Sequence, residues 1–155
     1  MLPRAPANDK GWPSDPKPAL APKRAILDDM PETLRPCSSF PNCVCSRSDA
    51  SPRHHIAPFA LPEDPAVVFA RLRTLLAAWP RTTIVTATED YIHATCRTRI
   101  GFVDDLECHL CVAEGVIHVR SASRFGFMDK GVNRARVEVL RRQLSNGSTG
   151  DPPSP

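Results

Sequence analysis

The sequence predicts an α+β domain, an antiparallel sheet of about four strands with two helices packed on one face. Three observations predict it. Apolar residues recur at steps of three and four in two segments, Pro65–Trp79 and Arg134–Leu144. Between them lie four segments rich in β-branched residues or alternating with period two. Short turns separate successive segments, which leaves no room for crossover helices and makes neighbours antiparallel.

The elements follow in order. Pro36–Ser46 (PCSSFPNCVCS) has loop chemistry and no period, and His54–Pro58 reads as a short extended segment. Asp64 stands where a side chain can accept from the free N–H groups of a first turn, and Pro65 fits the first helical position. Val68, Leu72, Leu75 and Trp79 then line one helical face, and Pro80 stops the helix. Arg81–Ala87 is β-branched and reads as a strand; Tyr91–Arg97 is its hairpin partner. In Phe102–Val112, Leu106, Cys108, Leu110 and Val112 share one face. Asp105, Glu107, His109 and Cys111 share the other, and Asp104 points away from Asp105. Ala113-Glu114-Gly115 is a tight turn into a fourth strand, Val116–Ser121. Ser123–Asn133 is a glycine-bearing polar loop, and Val137, Leu140 and Leu144 face inward from the last helix.

Composition sets the domain limits. Proline is 17 of 155 residues, with eight in the first 36 and three in the last four. Residues 1–35 therefore read as a proline-rich, disordered arm, 36–144 as a single α+β domain, and 145–155 as a flexible tail. No run approaches the roughly 18 apolar residues of a membrane span. Met1–Arg24 has no apolar stretch of signal-peptide type, so the chain reads as cytoplasmic as written, and as envelope-associated if the true start lies upstream. The net charge is only +3 and aromatic residues are 6%, and the basic segment follows an acidic one; all three argue against nucleic acid as partner.

Three polar constellations remain. Cys37 and Cys43 lie six positions apart in a Pro-Asn loop. They admit three readings: a structural loop, a small disulfide ring, or metal ligation with Cys45, His54 and His55. Cys43-x-Cys45 is tighter than the usual zinc knuckle, and no metal or other cofactor is assigned. Asp104, Asp105 and Glu107 put three acids within four residues, which a strand tolerates only beside cations. They read as ion pairs that set hairpin register, with a carboxylate general base, or an oxygen site for Mg²⁺ or Ca²⁺ that would need further ligands such as Asp129, as the functional alternatives. The third constellation is the best candidate site. Arg120, Ser121, Ser123 and Arg124 supply guanidinium forks and hydroxyls. Gly126 and Gly131 let the backbone turn tightly, and Asn133, Arg134 and Arg136 open the last helix. Such a set suits a carboxylate or phosphate. Its plain counterpart is an ordered loop in which Asp129 caps the helix. There is no P-loop and no G-x-S-x-G elbow. His93, His109 and His118 all fall on predicted strands, where a shared face would allow a three-histidine metal site.

Three segments together resemble a known family: Cys37-x-x-x-Pro41-Asn42-Cys43-Val44, then Phe102-Val103-Asp104-Asp105-Leu106-Glu107, then Val119-Arg120-Ser121-Ala122-Ser123-Arg124-x-Gly126-x-x-Asp129-x-Gly131-x-Asn133-Arg134-x-Arg136. The chain resembles the bacterial and plastid family known as domain of unknown function 1499 over about Pro36–Leu144. The resemblance implies no established activity. It implies a family whose members often look exported, lipoprotein-like or membrane-attached, and the proline-rich arm departs from that pattern. So does Cys45, where serine is usual.

The functional expectation is a non-catalytic binding module for an anionic small molecule or headgroup. Arg120, Ser121, Ser123, Arg124, Asp129, Asn133, Arg134 and Arg136 would bind, with Asp104, Asp105 and Glu107 as supporting acids. The alternatives are a hydrolase or isomerase using Asp105 or Glu107 as general base, and a structural or assembly module that makes contact through the arm.

Overall fold

The computed structural model describes residues 34–147. Most of the expected N-terminal arm and most of the tail lie outside them. Leu34 is buried, however, and Arg35 reaches Glu107. The folded unit thus includes two residues ahead of Pro36.

The fold is α+β, and its sheet has six strands. They are β1 (Cys43–Cys45), β2 (Phe59–Ala60), β3 (Thr82–Ala87), β4 (Tyr91–Arg97), β5 (Val103–Cys111) and β6 (Val116–Ser123). Helix α1 (Pro65–Ala78) lies between β2 and β3, and α2 (Val132–Ser145) follows β6. The central order is β1-β6-β5-β4-β3, with β2 also on β6, and every pairing is antiparallel. The four strands expected between the helices are all present. The two extra ones correct the reading of Pro36–Ser46 as pure loop and lengthen the sheet beyond four. The physical reason is the outer edge of β6, whose backbone groups need partners. β1 takes its C-terminal half, with Val44 opposite Ser121, and β2 takes its N-terminal half, with Phe59 opposite Ile117. Burial of Val44 and Phe59 holds both short strands in place. The free edge is β3, where the register shifts between Ile84 and Thr86, a bulge of the kind that discourages edge pairing.

Asp64 caps α1: its Oδ1 accepts from the N–H groups of Ala66 (2.9 Å) and Val67 (3.2 Å). The buried stripe of α1 is Val68, Phe69, Leu72 and Leu76, while the expected Leu75 and Trp79 sit at its margin, partly buried. Val137, Leu140 and Leu144 of α2 join it. The sheet answers with Ile92 and Cys96, Leu106 and Cys108, and Ile117 and Val119, all on one face. The turn between β5 and β6 closes with Gly115 at φ +67°, a conformation that glycine adopts without a Cβ clash.

Period-two alternation decides what lies opposite that core. The second sheet face carries Tyr91, His93 and Thr95 from β4. β5 adds Asp105, Glu107, His109 and Cys111, and β6 adds His118 and Arg120, all in the hairpin registers.

Candidate functional site

The polar residues expected to form one site are divided between two layers. Residues 120–124 alternate along the end of β6, so Ser121 and Ser123 face the helices while Arg120 faces away. Asp104 likewise faces the helices, and Asp105 and Glu107 the open side.

On the open side, Glu107 is fully buried at the middle of the central strand. Its Oε2 accepts from Arg120 Nη1 at 2.7 Å. Its Oε1 accepts from Arg35 Nε at 3.1 Å and from Tyr91 Oη at 3.0 Å. Burial, then the charge and hydrogen bond of Glu107, push the Tyr91 hydroxyl well above its ordinary pKa, so it is a hydrogen-bond donor at neutral pH. Beside this cluster Asp105 accepts two bonds from Arg124 (3.0 and 2.8 Å) and approaches His93 Nε2 at 2.8 Å. Partial burial is the largest single influence on Asp105 and would raise it. The bonds from Arg124 and His93 together outweigh that and hold the carboxyl down to about 2.

On the helix side, the start of α2 is latched to the sheet. Arg136 donates from Nη2 to Asp104 Oδ2 (2.5 Å) and from Nη1 to Asn133 Oδ1 (2.7 Å) and Ser121 Oγ (2.9 Å). Ser121 donates to Asn133 Oδ1 at 2.6 Å. Asn133, itself fully buried, places Nδ2 within reach of the Asn42 carbonyl, Ser123 Oγ and Asp129 Oδ2, at 3.0, 3.0 and 2.8 Å. Asp129 accepts from the backbone N–H groups of Gly131 and Asn133, both at 2.9 Å. A carboxylate of the chain therefore already occupies the positive end of α2. Gly131, at φ +81°, makes the turn that allows it. Arg134 stands apart and donates to the carbonyls of Arg53 and His55.

The structure thus brings Ser121, Ser123, Asp129, Asn133, Arg136 and Asp104 together, and it pairs Arg120 with Glu107 and Arg124 with Asp105. It does not gather the arginines around one pocket. A small cavity of about 100 Å³ touches Asp129 and Arg134, and two larger ones, of about 440 and 500 Å³, are lined by other residues. The first of the larger two lies beside Cys37, Ser39, Arg53 and His54, and the second beside His55, His109, Cys111 and His118. Asn42, Tyr91, His93 and Arg35 complete the networks, roles that the sequence reading does not assign to them. For Tyr91 and His93 the signal was present: they alternate onto the face of Asp105 and Glu107 once the hairpin register is known.

Cys37 and Cys43 are joined by a disulfide, with Cα atoms 5.7 Å apart. The Cys45, Cys96 and Cys108 thiols are buried, and burial pushes each above its ordinary pKa, so they are poor nucleophiles.

One end of the molecule is different in kind. The ends of β4 and β6 and the starts of β1 and β5 meet there, and three loops cover them. Phe40 and Phe127 pack edge to face with centroids 5.0 Å apart. Asn42 Nδ2 donates to the Gly126 carbonyl at 2.6 Å, and Arg124 N–H to the Val103 carbonyl at 3.1 Å, which ties the loops together. Around this contact Ile100 (80% exposed), Phe125 (73%), Phe127 (73%) and Met128 (71%) point to solvent, with Phe102 and Val132 less so. Arg97, Arg99, Arg124 and Lys130, all exposed, stand among them.

These features define a small antiparallel α+β domain braced by buried ion pairs on both sides of its sheet and bearing an apolar, cationic tip. The chain belongs to the family described as Protein of unknown function (DUF1499), whose model matches residues 33–144. No curated protein and no solved structure matches it. Among the described residues no helix is long and apolar enough to cross a membrane.

Proposed function

We propose that this domain is a non-catalytic binding module that docks its loop tip on an anionic lipid surface. The observation that carries the reading is the run Arg124–Lys130, where three large apolar side chains stand more than 70% exposed among cations. Exposed apolar clusters of this size are uncommon on a surface without a partner. Phenylalanines and methionine suit insertion at the acyl boundary, and arginines and lysine suit phosphate headgroups. Four cations, Arg97, Arg99, Arg124 and Lys130, stand at the tip; Arg124 is paired with Asp105, and the tip acid Asp129 is spent on backbone N–H groups, so Arg97, Arg99 and Lys130 carry most of the free positive charge. Of the residues expected to bind an anion, Arg124 reaches this tip. Arg120, Ser121, Ser123, Asn133 and Arg136 support it from below.

Asp105 and Glu107 are better read as structural carboxylates than as general bases. A base at neutral pH needs a pKa near the working pH, whereas Asp105 is held low by its two partners. Glu107 is fully buried beneath three donors.

Co-sedimentation with phosphatidylcholine vesicles, with and without phosphatidylglycerol, tests the reading. Binding is expected on the anionic vesicles and should weaken with salt. The triple variant Phe125→Ser, Phe127→Ser, Met128→Ser should lower partitioning at least about tenfold, since each inserted side chain contributes roughly 1.5–3 kcal/mol when fully buried. Glycerophosphate added in solution separates a free-anion site from a surface: competition by it at millimolar concentration would favour a pocket. Equal, negligible binding to both vesicles would refute the proposal, and so would tip-independent binding.

A further inference from the structure

We infer that the β5–β6 hairpin carries a divalent transition-metal site formed by Cys111, Glu114 and His118, with zinc the ion its donors fit. This site is separate from the loop tip and does not depend on its function.

The three residues reach one point from three places: the end of β5, the turn, and the third residue of β6. Cys111 faces Val116 in the ladder, so His118 is its diagonal neighbour on the same face, within reach for side chains of this length. Glu114, in the turn, folds back over both. One donor atom from each lies within 4.8 Å of the others. Ligands about 2.0–2.3 Å from a tetrahedral zinc are separated by roughly 3.5 Å, so small side-chain rotations close the set. A thiolate, an imidazole and a carboxylate are the three donor types zinc accepts, and their mixture disfavours the all-oxygen ions calcium and magnesium.

The surroundings fit the role. His118 Nδ1 lies 3.1 Å from Ser46 Oγ, which is buried and fixed by accepting from the Val119 N–H at 2.8 Å. Ser46 can therefore accept a hydrogen bond from Nδ1–H and leave the Nε2 lone pair free for a metal, 3.1 Å from Glu114 Oε2. A histidine–glutamate ion pair alone would explain that distance, but it needs no thiol. Cys111 is the one partly accessible free thiol among the described residues; Cys45, Cys96 and Cys108 are buried. The site opens into the cavity of about 500 Å³, where His109, directly opposite His118, and His55 also line the wall. The cavity wall beside the three donors is therefore polar. Binding would replace the Cys111 thiol proton by the metal and release that proton to solvent.

The test uses the full chain with its disulfide intact, handled anaerobically without added reductant. Zinc is titrated calorimetrically, and cobalt(II) is added separately as an optical probe. One zinc per chain is expected, together with a thiolate-to-cobalt charge-transfer band. Cys111→Ser should abolish the band, and Cys111→Ser, Glu114→Gln and His118→Ala should each weaken zinc at least tenfold. Circular dichroism controls for folding, and Glu114→Gln, in an exposed turn, keeps the test valid if the other two variants fold poorly. Absence of zinc binding would overturn the inference, as would a band that survives Cys111→Ser or affinity unchanged in Glu114→Gln. None of these outcomes bears on vesicle binding.

Discussion

Replacing Arg136 by methionine should destabilise this domain more than any surface change, and the structure says by how much. Arg136 and Asp104 are 10% and 2% exposed in their side chains. Arg136 is the only donor to the Asp104 side chain among the described hydrogen bonds, reaching Oδ2, while Oδ1 has no partner among the described residues. Methionine would keep most of the stem packing but leave a carboxylate buried without a cation. Removing one member of such a pair costs about 3–5 kcal/mol. Asn133 would fare better, because Ser121 still donates to its Oδ1. The assay is equilibrium unfolding in urea. With a slope of roughly 1.5 kcal/mol per molar for a domain of this size, the midpoint should fall by about 2–3 M. Adding Asp104→Asn removes the stranded charge, and the double variant should recover at least about 2 kcal/mol of the loss. A single variant whose midpoint moves by less than about 0.5 M, or a double variant no more stable than the single one, would refute this account of the latch.

Two further outcomes follow from the same networks. Asp105 is held at about 2, below its ordinary 3.8, so its contribution is complete above pH 4 and disappears as pH falls through 2. The shift corresponds to at most about 2 kcal/mol, and screening at the half-exposed Arg124 reduces this to about 1 kcal/mol; Asp105→Asn should cost that amount at pH 6 and nothing well below pH 2 in thermal melts. The Cys37–Cys43 bridge spans six positions, and closing so short a loop is worth about 2 kcal/mol by chain entropy. Reductant, or Cys37→Ser with Cys43→Ser, should lower the urea midpoint by about 1–1.5 M, and an unchanged midpoint would show that the loop is held by Val44 and Asn42 alone.

Local periodicity carried much of this molecule on its own. Alternation along Val103–Cys111 separates Asp104 and Leu106 from Asp105 and Glu107, and the structure keeps that division at every position. The Asp64-Pro65 cap and the buried Val137, Leu140 and Leu144 were legible for the same reason: caps and helical faces are written within a few residues. Two strands were not. β1 and β2 are three and two residues long, too short to show a period, and they exist because β6 offers them an edge. Partner choice was equally hidden. Arg120, Arg124 and Arg136 look alike in sequence, yet a period of two sends Arg120 to the open face, while α2 returns Arg136 to Asp104 on the other. The loop tip and the Cys111, Glu114 and His118 cluster depend on where chain ends and turns meet in space. Contacts between loops distant in sequence leave no periodic trace, and the short-range Cys111, Glu114 and His118 cluster needs the hairpin register and turn geometry, so only the folded sheet brings either together.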